Sequence, residues 1–228
     1  MGPVEPANDP GVSASPSVTP SAAEKLSKGD PQRFCSRRDP VVADVDGDGR
    51  EDQVFHSWVK GQALVGVCTA AGKKDSRPGL GMSELLQIID FDGDGRDEIF
   101  FGSTGITIGS YEVTRFLRGR LRLVRGPLGG EPMVVRQGAE FTNRMVGRAF
   151  GCEDIDEDGT ANLVQVTTRF QGQDVRWKRT WYSVRGASAE RVGHDGGSEP
   201  RGEGESRIDV LMRAARDHVR ACEARESS

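Results

Sequence analysis

Short segments in which apolar and polar residues alternate fill the middle of the chain, and glycine-rich turns separate them. Alternation with a period of two is typical of strands that are buried on one face. The segment from Thr114 to Val124 predicts a hairpin that turns at Arg118 and Gly119. The predicted strands are 53–59, 63–69, 85–89, 98–103, 111–117, 120–125, 132–136, 162–170, 175–184 and 190–193.

The pattern changes near the C-terminus, where residues 194–205 are rich in Gly, Glu and Ser and predict a loop. Residues 206–224 predict an amphipathic helix, because their apolar residues fall on one stripe at helical spacing. Ser206 and Asp209 have the spacing of a capping box and place the helix start there. The stripe comprises Ile208, Leu211, Met212, Ala215, Val219 and Cys222.

The first part of the chain differs from the rest. Residues 1–33 are rich in Pro, Ser and Ala and lack apolar periodicity, so ordering them would not be offset by burial. We expect a disordered tether there, linking the protein to an N-terminal anchor on a membrane or wall. Residues 34–195 then form a β-repeat domain, and residues 196–228 form a loop and a helix that packs on it.

Three segments share one pattern of acidic residues and glycine: DVDGDGRED from Asp44, DFDGDGRDE from Asp90 and DIDEDGTAN from Asp154. Each has oxygen-bearing side chains at positions 1, 3, 5 and 9 and glycine at position 6. An apolar or small run precedes each segment, and a predicted strand follows it. A pattern used three times indicates a repeated supersecondary unit.

This spacing suits calcium, which prefers six to eight oxygen ligands at about 2.3–2.6 Å. Alternate side chains of a curled loop point inward, glycine permits the positive φ of a sharp turn, and position 7 adds a carbonyl. The predicted ligands of the first loop are Asp44, Asp46, Asp48, Arg50 through its carbonyl, and Asp52. Those of the second are Asp90, Asp92, Asp94, Arg96 through its carbonyl, and Glu98. Those of the third are Asp154, Asp156, Asp158, Thr160 through its carbonyl, and Asn162.

Electrostatics favours the same interpretation. Two bare carboxylates ~4 Å apart repel by about 4 kcal/mol at an effective dielectric constant of 20, and a divalent cation removes this repulsion. The third loop has three carboxylates because Asn162 replaces the fourth, and Glu157 stands where the other loops have glycine. We therefore expect up to three Ca²⁺ ions, with the third site the weakest. The alternative is that these are polar turns without a metal.

The loops are not EF-hands, because position 12 is Phe55, Phe101 and Gln165 rather than an acid. In VVADVDGDGREDQVF, LLQIIDFDGDGRDEIFF and AFGCEDIDEDGTANLVQV they resemble FG-GAP/VCBS repeats, the blade units of integrin-type β-propellers. The resemblance implies about four antiparallel strands per repeat, with calcium between the first two.

The fold class expected from this resemblance is mostly β, with three propeller-blade-like antiparallel repeats and one C-terminal helix. Closed propellers have about four to eight blades, so three repeats are too few for a familiar ring. Three explanations stay open: a smaller arrangement, association of chains, or a degenerate blade between residues 103 and 148.

The four cysteines allow three pairings. We expect Cys35–Cys68, which brackets the first loop, and Cys152–Cys222, which pins the helix beside the third. Two disulfides indicate a secreted or cell-surface protein. No apolar run approaches the ~20 residues of a membrane span.

Composition and motifs narrow the function. A net charge of −4 does not favour nucleic-acid binding, and no H-E-x-x-H, G-x-S-x-G or phosphate-binding glycine motif indicates an enzyme. We expect a non-catalytic adhesion or ligand-binding module whose partner is an extracellular protein, an acidic glycan or a wall polymer. The alternatives are a glycan-active enzyme or an accessory carbohydrate-binding domain, and an inhibitor or sensor whose loops order on calcium binding. Candidate contact residues are the basic strand face Arg115, Arg118, Arg120, Arg122 and Arg125 and the aromatics Trp58, Trp177, Trp181 and Tyr182.

Overall fold

The computed structural model describes Cys35 and residues 40–79, 83–141, 144–202 and 204–222. The predicted tether, residues 1–33, lies outside these residues. Within them the chain is mostly β with one helix, which confirms the mostly-β part of the predicted class. The strands are β1 (Val41–Ala43), β2 (Asp52–Val59), β3 (Gln62–Cys68), β4 (Lys74–Pro78), β5 (Ser83–Ile89), β6 (Glu98–Thr104), β7 (Ile108–Leu117), β8 (Arg120–Leu123), β9 (Val134–Phe141), β10 (Met145–Glu153), β11 (Asn162–Gln171), β12 (Asp174–Arg185) and β13 (Ser188–Pro200), and the helix is α1 (Arg207–Asp217).

The strands form two antiparallel sheets. Strands β1 to β4 pair in sequence order, and the larger sheet runs β13-β12-β11-β10-β9-β7-β6-β5, with β8 pairing the second half of β7 beside β9. Each acidic loop joins the first two strands of a four-stranded run: β1–β4, β5–β8 or β10–β13. Strand β9 links the last two runs into one sheet, and the described residues show no closed ring of blades.

Strand β6 holds the core together because it is buried on both faces. Ile99 and Phe101 face the small sheet and pack with Val54 and Val65. Phe100, between them in sequence, points the other way and packs with neighbours from β7, β9 and β11. Burying each of these side chains contributes about 1.5–3 kcal/mol, so this strand fixes the small sheet against the large one.

Helix α1 packs on β10 and β11 through four buried residues, Val210, Leu211, Ala214 and Ala215. The predicted stripe is correct for Leu211 and Ala215, but Ile208 is 39 % exposed. The helix also ends at Asp217, earlier than predicted. The reason is that the following chain turns back to β10, where the Arg220 carbonyl accepts a hydrogen bond from the Cys152 amide.

Both predicted disulfides are present. Cys35 pairs with Cys68 at the end of β3, with a Cα–Cα distance of 5.8 Å. Cys152 pairs with Cys222, at 4.8 Å, and so ties the chain after α1 to β10 two residues before the third loop. No described cysteine is free.

We predict that Ser206→Ala lowers the free energy of unfolding by about 1 kcal/mol, because Ser206 caps α1 by accepting from the Asp209 amide at 3.2 Å. Urea unfolding measures the change. Ser206→Asp is the control, since aspartate keeps an oxygen at the cap and should retain most of the stability. An equal loss in both variants would contradict the capping role.

Candidate metal centres

The three acidic loops have the same backbone curl. The glycine at position 6 has a φ of 77° to 84° in every loop, which side chains rarely adopt. Its amide donates to the first aspartate of the loop at 2.8 to 3.0 Å. Position 4 also has positive φ, and there the third loop carries Glu157, with a φ of 57°, instead of glycine. That residue makes the third loop the most strained, at a cost of roughly 1–2 kcal/mol.

The curl brings the first three acidic side chains of each loop together, as the sequence pattern predicts. In every loop one carboxylate oxygen from each of positions 1, 3 and 5 lies within 4.8 Å of the other two. In the described ranges, no other three or more Asp, Glu, His or Cys side chains come this close together. The amide of position 7 donates to the aspartate at position 5 in each loop, for Arg50, Arg96 and Thr160. The predicted residues therefore form three compact clusters.

The closing residue at position 9 is buried in all three loops. Asp52 is 0 % exposed, and it accepts amide hydrogen bonds from Val45, Asp46 and Ala70. Burial raises the pKa of Asp52 above its ordinary value, although these bonds oppose the shift. Glu98 is 0 % exposed and Asn162 is 7 % exposed. A buried acid in this position favours a nearby positive charge.

The first and third loops contain buried oxygens without a hydrogen-bond partner in the described part of the chain. They are Asp46 Oδ1 in the first loop and Asp154 Oδ1 and Asn162 Oδ1 in the third. In the second loop Glu98 Oε1 is also buried without a hydrogen-bond partner among the described residues, but it lies 2.8 Å from Arg115 Nε in an ion pair. A buried polar atom left unpaired costs about 1–3 kcal/mol. The three oxygens of the first and third loops are ligand positions of the sequence pattern, and a hard cation is bound by oxygens of this kind. The residues of these two loops could therefore hold a metal ion.

The second loop differs because an arginine fills it. Arg115 on β7 is 1 % exposed, and its Nη1 lies 3.2 Å from Asp92 Oδ2. Its Nη2 pairs with Asp94, and its Nε lies 2.8 Å from Glu98 Oε1. One guanidinium thus contacts the acids at positions 3, 5 and 9. The expectation that Arg115 belongs to an exposed basic strand face is wrong.

One positive charge does not fully compensate these acids. Burial raises the pKa of Asp92 to about 6, and the neighbouring Arg115 opposes that shift. Burial likewise raises the pKa of Glu98 well above its ordinary value. Without Arg115 these two buried carboxylates would be left facing each other.

Strand register shows that Arg115 has no counterpart in the other loops. Ile99 pairs with Thr114, so Glu98 and Arg115 occupy the next register position. The equivalent pairs are Asp52 with Thr69 in the first loop and Asn162 with Ser183 in the third. Two loops therefore have a short hydroxyl residue where the second has a guanidinium. The loop pattern alone does not reveal this, because the partner lies on another strand.

The first and second loops also contact each other across the sheets. The Asp44 amide donates to Asp97 Oδ2 at 2.7 Å, and the Asp97 amide donates to the Asp44 carbonyl at 2.9 Å. Arg96 Nε donates to the Asp46 carbonyl at 3.1 Å. Asp97, which is outside the predicted ligand set, thus links the first and second loops by hydrogen bonds. The side chain of Arg96 links the same two loops, whereas the sequence predicted a role only for its backbone carbonyl.

Two of the aromatic residues proposed for ligand contact are engaged by the protein itself. Trp177 stacks on His218 with ring centroids 4.1 Å apart. Trp181 Nε1 donates to Glu153 at 3.0 Å, and Arg179 lies over the ring of Trp181. Trp58, in contrast, is 47 % exposed.

Comparison of the chain with protein-family models, curated proteins and solved structures gives no match. The chain is therefore characterised by its own structure. It is mostly β, with one described helix, two disulfides and three acidic clusters able to hold a metal. In the described ranges, no helix has both the length and the apolar character needed to cross a membrane.

Proposed function

We propose that the protein is a non-catalytic extracellular module for adhesion or assembly, stabilised by calcium in its first and third loops. The observation that carries this proposal is the set of buried, unpaired oxygens at Asp46, Asp154 and Asn162. Each is a ligand position of a loop whose acidic side chains already converge. Buried polar atoms in native proteins are almost always paired, and a bound cation pairs these.

The residues that would hold the ions follow from the loop pattern. In the first loop they are Asp44, Asp46, Asp48, the Arg50 carbonyl and Asp52. In the third they are Asp154, Asp156, Asp158, the Thr160 carbonyl and Asn162. A bound Ca²⁺ supplies positive charge that offsets the repulsion among these acids. The protein residues themselves fix the loop curl, because the first aspartate of each loop accepts the position 6 amide.

We propose that Arg115 takes the place of an ion in the second loop. Its guanidinium already contacts three of the four side chains that would otherwise ligate calcium there. Of the up to three ions expected from the sequence, this assigns two. This proposal also changes the expected order of calcium affinity among the loops, since the second loop, not the third, becomes the weakest site.

The likeness to FG-GAP/VCBS repeats is part of the same proposal. Its support is topological: each acidic loop joins the first two strands of a four-stranded antiparallel run, as the blades of that family require. Two disulfides support an oxidising, extracellular setting. We propose that the three runs are blade-like units in a small open arrangement.

Calorimetric titration of metal-free protein tests the proposal directly. We expect two calcium ions per chain and much weaker magnesium binding, because Mg²⁺ demands stricter octahedral geometry. Asp46→Asn should remove one of the two ions, since it neutralises a ligand whose side chain is 9 % exposed. Asp174→Asn, an exposed acid at the start of β12 and outside the loops, is the control and should leave both. Absence of calcium binding by the wild type would overturn the proposal.

A further inference from the structure

An open cleft of about 1030 Å³ lies between the small sheet and the β7–β8 hairpin. Its lining comes from the first two acidic loops, the β3–β4 turn, β4, the β12–β13 turn, and the hairpin with the chain after it to Arg125. Six of the lining residues are cations and one, Asp46, is an acid. The cations are Lys73, Arg77, Arg96, Arg118, Arg122 and Arg125. The formal charge of the lining is thus +5, whereas the whole chain carries −4. Two acids just outside the lining, Glu112 and Asp94, pair with Arg77 and Arg96, so the unpaired positive charge comes mainly from the three arginines of the hairpin and the chain after it.

Two of these cations are held in place by the protein. Arg77 Nη1 lies 3.1 Å from Glu112 Oε2 and donates to Thr114 Oγ1 at 3.0 Å. Arg96 Nε donates to the Asp46 carbonyl. Fixed side chains lose little conformational entropy when a ligand binds, so they are suited to recognition.

The three hairpin cations are exposed, and within the described ranges none of them forms an ion pair. Arg118 lies in the turn itself, with a φ of 53°, followed by Gly119 at 78°. Arg125 Nη1 donates only to the Gly130 carbonyl, at 2.9 Å. Gathering like charges on one wall is unfavourable unless an anion joins them. Their positions therefore point to an anionic ligand.

We propose that this cleft binds an acidic polysaccharide, through repeated carboxylate or sulfate groups along the polymer. Guanidinium groups bind such planar or tetrahedral anions with paired hydrogen bonds. The cations spread over four chain segments, which suits a series of charges rather than one compact ion. Nucleic acid is disfavoured because Phe116, the one aromatic residue in the lining, is 2 % exposed and offers no ring for a base to stack on.

The proposal stands without bound calcium, because the arginines carry it. A second open cleft, on one face of the large sheet, is also lined by cations, among them Arg169, Arg176 and Lys178. All three are exposed, and they lie on β11 and β12 alone. This second cleft provides a matched control with the same change of charge.

The test measures binding of fluorescent dextran sulfate to full-length protein by anisotropy, with neutral dextran and a single-stranded DNA oligonucleotide as comparison ligands. We expect binding of dextran sulfate that weakens with added NaCl, and none of neutral dextran. The triple variant Arg118→Gln/Arg122→Gln/Arg125→Gln should lose at least tenfold in affinity. The control variant Arg169→Gln/Arg176→Gln/Lys178→Gln should lose less than twofold.

Three outcomes would overturn the proposal. The first is an equal loss of affinity in both triple variants, which would show a response to overall charge. The second is no binding of dextran sulfate by the wild type. The third is DNA binding as tight as that of dextran sulfate with the same dependence on the hairpin arginines. Circular dichroism of each variant confirms that the fold is retained before affinities are compared.

Discussion

Chelation of calcium is expected to lower the melting temperature of this protein by about 10–20 °C. A ligand at one hundred times its Kd stabilises the folded state by about 2.7 kcal/mol per site, so two sites contribute about 5 kcal/mol. For a chain of this size each kcal/mol shifts the melting temperature by about 2–4 °C. The physical source is the crowding of acids in the first and third loops, together with their unpaired buried oxygens. Scanning calorimetry with calcium and with EDTA measures the shift.

The control for this prediction is a loop variant. The double variant Asp46→Asn/Asp156→Asn replaces one acidic ligand in the first loop and one in the third. It should therefore remove most of the calcium-dependent shift in melting temperature. Asp174→Asn, outside the loops, should retain it in full. Magnesium at the same concentration should restore little of the stability lost on chelation. Equal melting temperatures in calcium and EDTA for the wild type would contradict the account.

Replacing Arg115 has the second large expected effect. In EDTA, Arg115→Thr should lower the free energy of unfolding by about 3–5 kcal/mol, because it leaves buried carboxylates without their positive partner. With the guanidinium in place, Glu98 is 0 % exposed and Asp92 is 5 % exposed, so its positive charge is the main partner of both carboxylates. Threonine is chosen because Thr69 occupies the equivalent register position beside the first loop.

The same variant should gain a calcium ion. With Arg115 removed, the second loop resembles the first, so calcium should restore part of the lost stability and titrate to three ions per chain. Arg179→Thr is the control, since Arg179 pairs with Glu153 and Asp195 outside the loops and is 24 % exposed. It should lose less stability and still bind two ions. If Arg115→Thr is destabilised equally in calcium and EDTA, Arg115 is not a substitute for an ion.

The acidic loops were predictable because their geometry is local. Nine consecutive residues contain the side chains at positions 1, 3, 5 and 9 and the glycine that permits the turn, so spacing alone identifies them. The β7–β8 hairpin is local in the same way, and its turn at Arg118 and Gly119 is confirmed. The disulfides follow from the same loops, because each pair brackets or adjoins one.

The sequence does not predict strand β10, because its alternately buried residues, Gly147, Ala149 and Gly151, are small where α1 and the chain after it pack. A Cβ at Gly147 would lie 2.7 Å from the Leu211 carbonyl oxygen, and one at Gly151 would lie 1.8 Å from that of Arg220. These glycines leave room for the helix and the chain after it, and they interrupt the alternation of apolar and polar residues that would predict a strand. No local reading of the segment contains that information.

Residues 194–205 were predicted as a loop for a similar reason. Strand β13 continues to Pro200 and pairs with β12 throughout. A Cβ at Gly197 would lie 2.8 Å from the ring of Trp177. Glycine there serves contact with an aromatic neighbour rather than a turn. The burial of Arg115 is likewise a tertiary property, since its acidic partners belong to the second loop and to the start of β6, the strand that pairs with β7.

The most direct test is a crystal structure of protein saturated with calcium, with anomalous difference density measured at a wavelength where calcium scatters. We predict peaks within the first loop, beside Asp46, and within the third, beside Asp154, with the Arg115 guanidinium still against Asp92 and Glu98 in the second. Density at neither the first nor the third loop would contradict the account.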